Sequence, residues 1–206
     1  MKRVPIVPTL IVLIAVAVMI RLGFWQLERL GEKEAMLAQY EAASKSSRVT
    51  DFKNDLLIDG PDDYSRIRVE CTSQSSDSLI AGRNAKGQSG WAHQFDCRFP
   101  YSGKGEPEAT VVIGWSEAPV PVQWKGGTVL GTVVPPRPTD AIAGCPKCYR
   151  QRFVADPPLA GLQANAKPDP RDIPNNHLAY AVQWFLFAGV ALVIYAIALR
   201  KRLRGG

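Results

Sequence analysis

The feature that most constrains this chain is a pair of long apolar segments, one near each end of its 206 residues. Residues 4–20 carry no charged side chain, and neither do residues 178–199. An α-helix rises about 1.5 Å per residue, so about 20 residues cross a hydrocarbon layer about 30 Å thick. The two segments therefore predict transmembrane helices over residues 4–25 and 178–199, with a domain over residues 26–176 between them.

The first apolar segment has a second interpretation, because Lys2 and Arg3 give it the basic start of a cleaved signal peptide. The segment is longer than the apolar part of a typical signal peptide. It is also followed by the bulky Phe24 and Trp25 where a cleavage site would need small residues. These features favour an uncleaved membrane anchor.

The positions of the basic residues predict the orientation. Lys2 and Arg3 precede the first apolar segment. Four more basic residues follow the second segment: Arg200, Lys201, Arg202 and Arg204. The positive-inside rule then predicts a multi-pass membrane protein with both termini in the cytoplasm and the central domain outside it. These six residues equal the whole net charge of +6, so the charge indicates contact with the lipid bilayer and no nucleic-acid partner.

The central region begins with helical spacing over residues 26–43 and changes after Tyr64 to an alternation of apolar and polar residues. The alternation marks candidate strands at residues 66–71, 91–99, 111–115, 129–134 and 151–154. Turns rich in Gly and Pro separate them. The pattern predicts a β-rich domain of about six short strands, folded as a barrel or a sandwich. The proline-rich segment over residues 157–174 is predicted to be an extended return to the membrane.

A candidate binding site lies where the second apolar segment begins. On a helix, His177, Tyr180 and Trp184 share one face, and Arg21 and Trp25 mark the corresponding end of the first segment. An imidazole beside aromatic rings could supply an axial ligand to a haem iron, and Arg21 could pair with a propionate. The same residues also fit an interfacial aromatic belt with a snorkelling arginine, so both interpretations stay open.

The four cysteines all lie in the predicted extracytoplasmic domain, where disulfides persist. Cys145 and Cys148 form a Cys-x-x-Cys motif that fits a thiol-disulfide pair, a copper or zinc half-site, or a structural disulfide. Cys71 and Cys97 lie on two predicted strands and could form another bridge. His93 is interpreted as a core or edge histidine. Sequence motifs typical of hydrolases, P-loop proteins and dinucleotide-binding proteins are absent.

Four motifs resemble one known family. Residues 22–30 read Leu-Gly-Phe-Trp-Gln-Leu-Glu-Arg-Leu, and residues 175–185 read Asn-Asn-His-Leu-Ala-Tyr-Ala-Val-Gln-Trp-Phe. Between them lie Tyr-Ser-Arg-Ile-Arg-Val at 64–69 and Arg-Asn-Ala-Lys-Gly-Gln-Ser-Gly at 83–90. In this order the motifs resemble the Surfeit locus protein 1 family, whose members are assembly factors for cytochrome c oxidase.

The resemblance implies a non-enzymatic, chaperone-like role in delivering or inserting haem a into subunit I of the oxidase. It implies that His177 is the haem ligand and that Tyr180 and Trp184 lie beside the macrocycle. Subunit I is the implied partner, and haem a synthase is a second one. Two alternatives stay open: a scaffold that stabilises subunit I without a cofactor, and a thiol- or copper-handling factor that uses Cys145 and Cys148.

Overall fold

The computed structural model describes residues 4–52, 61–74, 76–98, 108–137, 140–141 and 149–204. The chain divides into two compact units. A helical unit combines the residues up to Leu37 with those from Ile173 onward, and a β unit runs from Ala38 to Asp172.

The first helix, α1, runs without interruption from Ile6 to Lys45, over 40 residues. At about 1.5 Å per residue it is about 60 Å long. The helix predicted over residues 26–43 is therefore confirmed as the continuation of the first apolar segment. Gly31 lies within this helix without a break.

The second helix, α2 (His177–Arg204), packs antiparallel to α1 in the helical unit. Small residues form the contact: Gly23 of α1 and Ala181 and Ala188 of α2 are all buried. The ring of Phe185 lies over Gly23 and meets the ring of Phe24 edge-on, with centroids 5.4 Å apart. Small residues let two helices approach closely in a lipid environment, where burial of apolar surface does not drive association.

Polar contacts join α1 and α2 at both ends of this packed stretch. Thr9 bonds the hydroxyl of Tyr195 at one end, and Gln26 bonds His177 at the other. Between these contacts α1 advances by about 26 Å, close to the thickness of a hydrocarbon layer. Both helices are long and apolar enough to cross a membrane. Most of their large apolar side chains are exposed, as lipid contact requires.

Replacing Gly23 with leucine is expected to weaken the α1–α2 contact by about 1–3 kcal/mol, because a larger side chain overpacks the space between the two helices. A Cβ at Gly23 would lie 2.6 Å from Cε1 of Phe185, so the ring must move. Gly31→Leu is the matched control, because a Cβ there meets nothing within 4 Å. Thermal unfolding in one detergent, followed by circular dichroism, checks this. Equal midpoints for the two variants would contradict the close packing at Gly23.

In the β unit, eight strands among the described residues form one sheet. They are β1 (Val49–Asp51), β2 (Arg66–Cys71), β3 (Ser73–Gln74), β4 (Ser78–Arg83), β5 (Ser89–Arg98), β6 (Glu108–Ser116), β7 (Gly127–Val134) and β8 (Gln151–Ala155). The strand order is β1-β2-β7-β8-β6-β5-β3, and β4 also pairs with β5. Because β3 follows β2 after the single residue Thr72, the continuous stretch β2–β3 pairs with both β7 and β5 and so closes the sheet. The domain is therefore a small barrel and not a sandwich.

The prediction of about six strands is too low. Strands β2, β5, β6, β7 and β8 are confirmed close to their predicted positions. Strands β1, β3 and β4 were not predicted, because β1 and β3 have only three and two residues and β4 mixes Gly and Ala with its apolar residues. Such short or weakly patterned segments carry little period-two signal.

A disulfide lies where the barrel closes. Cys71 ends β2, and its sulfur is bonded to that of Cys97 in β5, with the two Cα atoms 5.4 Å apart. Beside this bridge, the amide of Thr72 donates to the carbonyl oxygen of Arg98 across 2.8 Å. Both cysteines are buried in the barrel core. A covalent bond and a short stretch of backbone pairing thus hold the barrel closed.

The segment after β8, predicted to be an extended return to the membrane, instead packs along the barrel. The amide of Leu159 donates to the carbonyl of Ile113 across 2.8 Å, and Trp115 exchanges two backbone hydrogen bonds with Gln163. Since β8 pairs only with the first half of β6, this segment covers the second half of that strand. We call residues 159–166 the strap.

Candidate functional site

The candidate haem residues on α2 lie at its first turns. The helix begins at His177, which is half-buried, and the backbone amide of Tyr180 donates to the carbonyl of Asn176. The side chain of Tyr180 is 49% exposed. Trp184 is half-buried, and its ring meets that of Phe187 edge-on with centroids 6.2 Å apart. The structure therefore presents aromatic surface beside His177.

The candidate residues on α1 lie at the corresponding end of that helix. Trp25 is 42% exposed. Arg21 is exposed and forms an ion pair with Glu28 of the same helix, with 3.8 Å between the nitrogen and oxygen. Exposed pairs of this kind are weak, so another carboxylate could replace Glu28 as the partner of Arg21.

The contact that brings α1 and α2 together at this level involves a residue that the sequence did not single out. Oε1 of Gln26 lies 2.8 Å from Nδ1 of His177, and both side chains are half-buried. An amide oxygen can only accept, so the hydrogen lies on Nδ1. We call this contact the Gln26–His177 clasp. In a neutral imidazole it leaves the lone pair of Nε2 available to a ligand.

An unsatisfied polar atom lies close to the clasp in sequence. Oδ1 of Asn175 is buried and has no hydrogen-bond partner among the described residues. Buried acceptors are nearly always paired in folded proteins, and exceptions are commonly satisfied by water or a ligand. An acceptor of this kind two residues from His177 is what a bound polar ligand group would use.

The donor set fits a macrocycle better than a bare metal ion. Within the described ranges, no group of three or more His, Cys, Asp or Glu side chains is placed to hold a metal. Haem brings its own equatorial nitrogen donors and takes only axial ligands from the protein, and histidine is a common one. A single available imidazole nitrogen among exposed aromatic rings meets that requirement.

A second constellation lies inside the β barrel. His93 of β5 is fully buried, at a register shift between β5 and β6. Its Nδ1 lies 2.7 Å from Oδ2 of Asp77, and its Nε2 lies 2.7 Å from Oγ of Ser116. The structure thus places His93 in the core, with polar partners that the sequence pattern did not reveal.

The order carboxylate, imidazole and hydroxyl is that of a serine-hydrolase relay. Here, however, His93 has no solvent exposure, and the hydroxyl of Ser116 donates to the carbonyl of Ala118 across 2.7 Å. Oδ2 of Asp77 also accepts from the amide of Val122 across 2.9 Å. The network therefore ties the connection between β6 and β7 to the barrel, and we call it the Asp77 latch.

The last turns of α1 are held in the β unit by a tyrosine pair. The rings of Tyr40 and Tyr64 lie 5.2 Å apart. Burial raises the pKa of Tyr40 to about 12, and a hydrogen bond with Asp63 adds to the shift. Burial also raises the pKa of Asp63. The folded-state pKa of Tyr40 lies above its ordinary value, so its protonated hydroxyl stabilises the folded state. This contribution to stability is intact below about pH 10 and is lost as the pH rises towards 12.

The cysteines predicted as a possible functional pair, Cys145 and Cys148, lie outside the described residues. A role as a thiol- or copper-handling factor rests on these two residues alone.

Comparison with known proteins agrees with the motifs. A family model described as the SURF1 family matches residues 13–189. The match contains the clasp, the β unit and most of the packed stretch of the two helices, but not the Thr9–Tyr195 contact at its other end. No curated protein matches the chain. Since the family model covers well over half of the sequence, the chain belongs to the SURF1 family, a family of cytochrome c oxidase assembly factors.

Proposed function

We propose that this chain is a membrane-anchored assembly factor that holds haem a for insertion into subunit I of cytochrome c oxidase. Family membership supports an association with the oxidase complex, and together with the two candidate spans it indicates a membrane protein. The observation that carries the haem proposal is the Gln26–His177 clasp, which directs one imidazole nitrogen to Gln26 and leaves the other available.

The residues around the clasp suit an apolar macrocycle. His177 would be the axial ligand, and the exposed rings of Tyr180 and Trp25 and the half-buried Trp184 would offer stacking surface. Arg21 would pair with a propionate in place of Glu28. When bound, haem a supplies the redox-active iron that the oxidase needs, and the task of this chain is to bind, orient and release it. Release requires that the site in subunit I bind haem more tightly than this one.

The charge pattern supports a specific topology. The basic flanks favour cytoplasmic termini in the inner membrane, with the β unit on the opposite side. The Cys71–Cys97 bridge agrees with an oxidising compartment for that unit. Haem a synthase is the proposed donor of the haem, and subunit I is the proposed acceptor.

An optical spectrum of the full chain purified from cells that make haem a tests this proposal. We expect haem a bands in the wild type and their loss or shift in His177→Ala. The matched control is Tyr195→Phe, which removes the polar contact to Thr9 at the other end of the helix pair and leaves His177 unchanged.

The outcomes separate three interpretations. Equal loss of haem from His177→Ala and Tyr195→Phe would mean that both changes act by loosening the helix pair, which contradicts ligation by His177. A wild type that is free of haem but still co-purifies with subunit I would overturn the carrier role and leave a scaffold.

A further inference from the structure

We propose that Gln26 is a positioning residue for His177, which fixes its imidazole as the Nδ1–H tautomer and thereby directs the Nε2 lone pair to the haem iron. The inference rests on the proposed haem-carrying function and adds to it the group that prepares the ligand.

The hydrogen bond determines which ring nitrogen is free. Across 2.8 Å, Oε1 of Gln26 accepts the hydrogen of Nδ1, because an amide oxygen has none to donate. Among the described residues, Nε2 has no hydrogen-bond partner. A histidine that binds a metal usually donates its other N–H to an acceptor, and that acceptor sets the tautomer, the ring orientation and the basicity of the ligand. The clasp has this arrangement before any cofactor is present.

Helix packing holds the acceptor in place. Gln26 lies three residues after Gly23, so both point to the same side of α1, and Gly23 is packed against Phe185 of α2. His177 lies four residues before the buried Ala181, on the packed side of α2. The clasp therefore lies at one end of the packed stretch, on the side of each helix that faces the other.

The competing explanation is that Gln26 simply fastens the two helices together, as the Thr9–Tyr195 contact does at the other end of the packed stretch. A fastener needs only some hydrogen bond between the helices. It does not tune bound iron, whereas a positioning residue sets the affinity and the reduction potential of the haem. Those two properties therefore distinguish positioning from fastening.

The first measurement uses the full-length protein without haem, with its histidines labelled with ¹⁵N and with imidazole shifts recorded by NMR in detergent. The Nδ1–H tautomer is expected for His177 in the wild type and in Gln183→Leu. Gln183 is the matched control, because it is an exposed glutamine of α2. In Gln26→Leu the Nε2–H form should gain population. A wild type without an Nδ1–H preference would overturn the proposal, whether or not haem binds.

The second measurement uses haem-loaded protein. Gln26→Leu is expected to bind haem about ten- to a hundredfold more weakly, the usual cost of removing an outer-shell partner of a metal ligand. Gln26→Glu keeps an acceptor and strengthens it, so the imidazole becomes a better donor to ferric iron. Its haem should therefore have a lower reduction potential than that of the wild type, while Gln183→Leu should leave affinity and potential unchanged.

Failure of this inference can be distinguished from failure of the proposed function. If the wild type binds haem through His177 but Gln26→Leu and Gln26→Glu match it in affinity and potential, Gln26 is only a fastener and the carrier role stands. If the wild type takes up no haem, both the carrier role and the positioning role are overturned, and a fixed Nδ1–H tautomer would then report only a structural contact.

Discussion

Replacing His93 with leucine is expected to destabilise the β unit by about 3–5 kcal/mol, because a buried carboxylate loses its main partner. Asp77 would stay inside the barrel with the amide of Val122 as the remaining donor to Oδ2. Its Oδ1 already has no hydrogen-bond partner among the described residues. Ser116 would also lose the imidazole contact. Leucine fills a similar space and is apolar, so a purely packed core position would tolerate it.

Chemical denaturation of the full chain, followed by tryptophan fluorescence, measures this cost. The control is the double variant Asp77→Leu/His93→Leu, which leaves no carboxylate behind. The double variant should lose clearly less stability than His93→Leu alone, since removing both partners is far less costly than removing one. If the double variant is less stable than the single one by the usual cost of a second core substitution, Asp77 and His93 are not energetically coupled.

Removing the disulfide by Cys71→Ala/Cys97→Ala is expected to cost about 3.5 kcal/mol of stability, from the chain entropy that the cross-link removes from the unfolded state. The bridge closes a loop with a sequence separation of 26. The bridge also joins β2 to β5 where the barrel closes. Without it, the two residue pairs between β3 and β5 and the neighbouring hydrogen bond of Thr72 would hold the barrel closed.

The denaturation midpoint of this variant should match that of the wild type in reductant. The control is the variant Cys145→Ala/Cys148→Ala in oxidising buffer, which removes a different pair of cysteines. It should keep the stabilisation from the Cys71–Cys97 bridge. A wild type whose midpoint is the same with and without reductant would show that backbone pairing alone closes the barrel.

The sequence predicts those parts of the fold in which apolar periodicity and burial coincide. In β2, Ile67, Val69 and Cys71 are buried and alternate with Arg66, Arg68 and Glu70, so the pattern is visible without a structure. Closure of the sheet is not visible, because it depends on the two-residue strand β3. The strap is equally hidden, since the hydrogen bonds that hold it to β6 join backbone groups and leave no pattern in the sequence.

The candidate site was predictable on each helix separately. Helical spacing places His177, Tyr180 and Trp184 on one face, and the structure keeps them at the start of α2. The role of Gln26 was not predictable from spacing, because it contacts His177 across 151 positions of sequence through the pairing of two helices. For the Asp77 latch, the available signal was a histidine within an apolar strand, since a buried imidazole needs polar partners. The sequence did not indicate that Asp77 was one of them.

The strap also protects the barrel against association with other chains. Strand β6 has no β8 neighbour beyond Val112, so without the strap its second half would present unpaired backbone groups beside apolar side chains. Such an edge is a template for a strand from another molecule. Because the strap lies between β8 and α2 in the chain, the same connection that returns to the membrane also caps this edge. Truncation before the strap should therefore yield a β unit that aggregates, even though the strands named above would all be present.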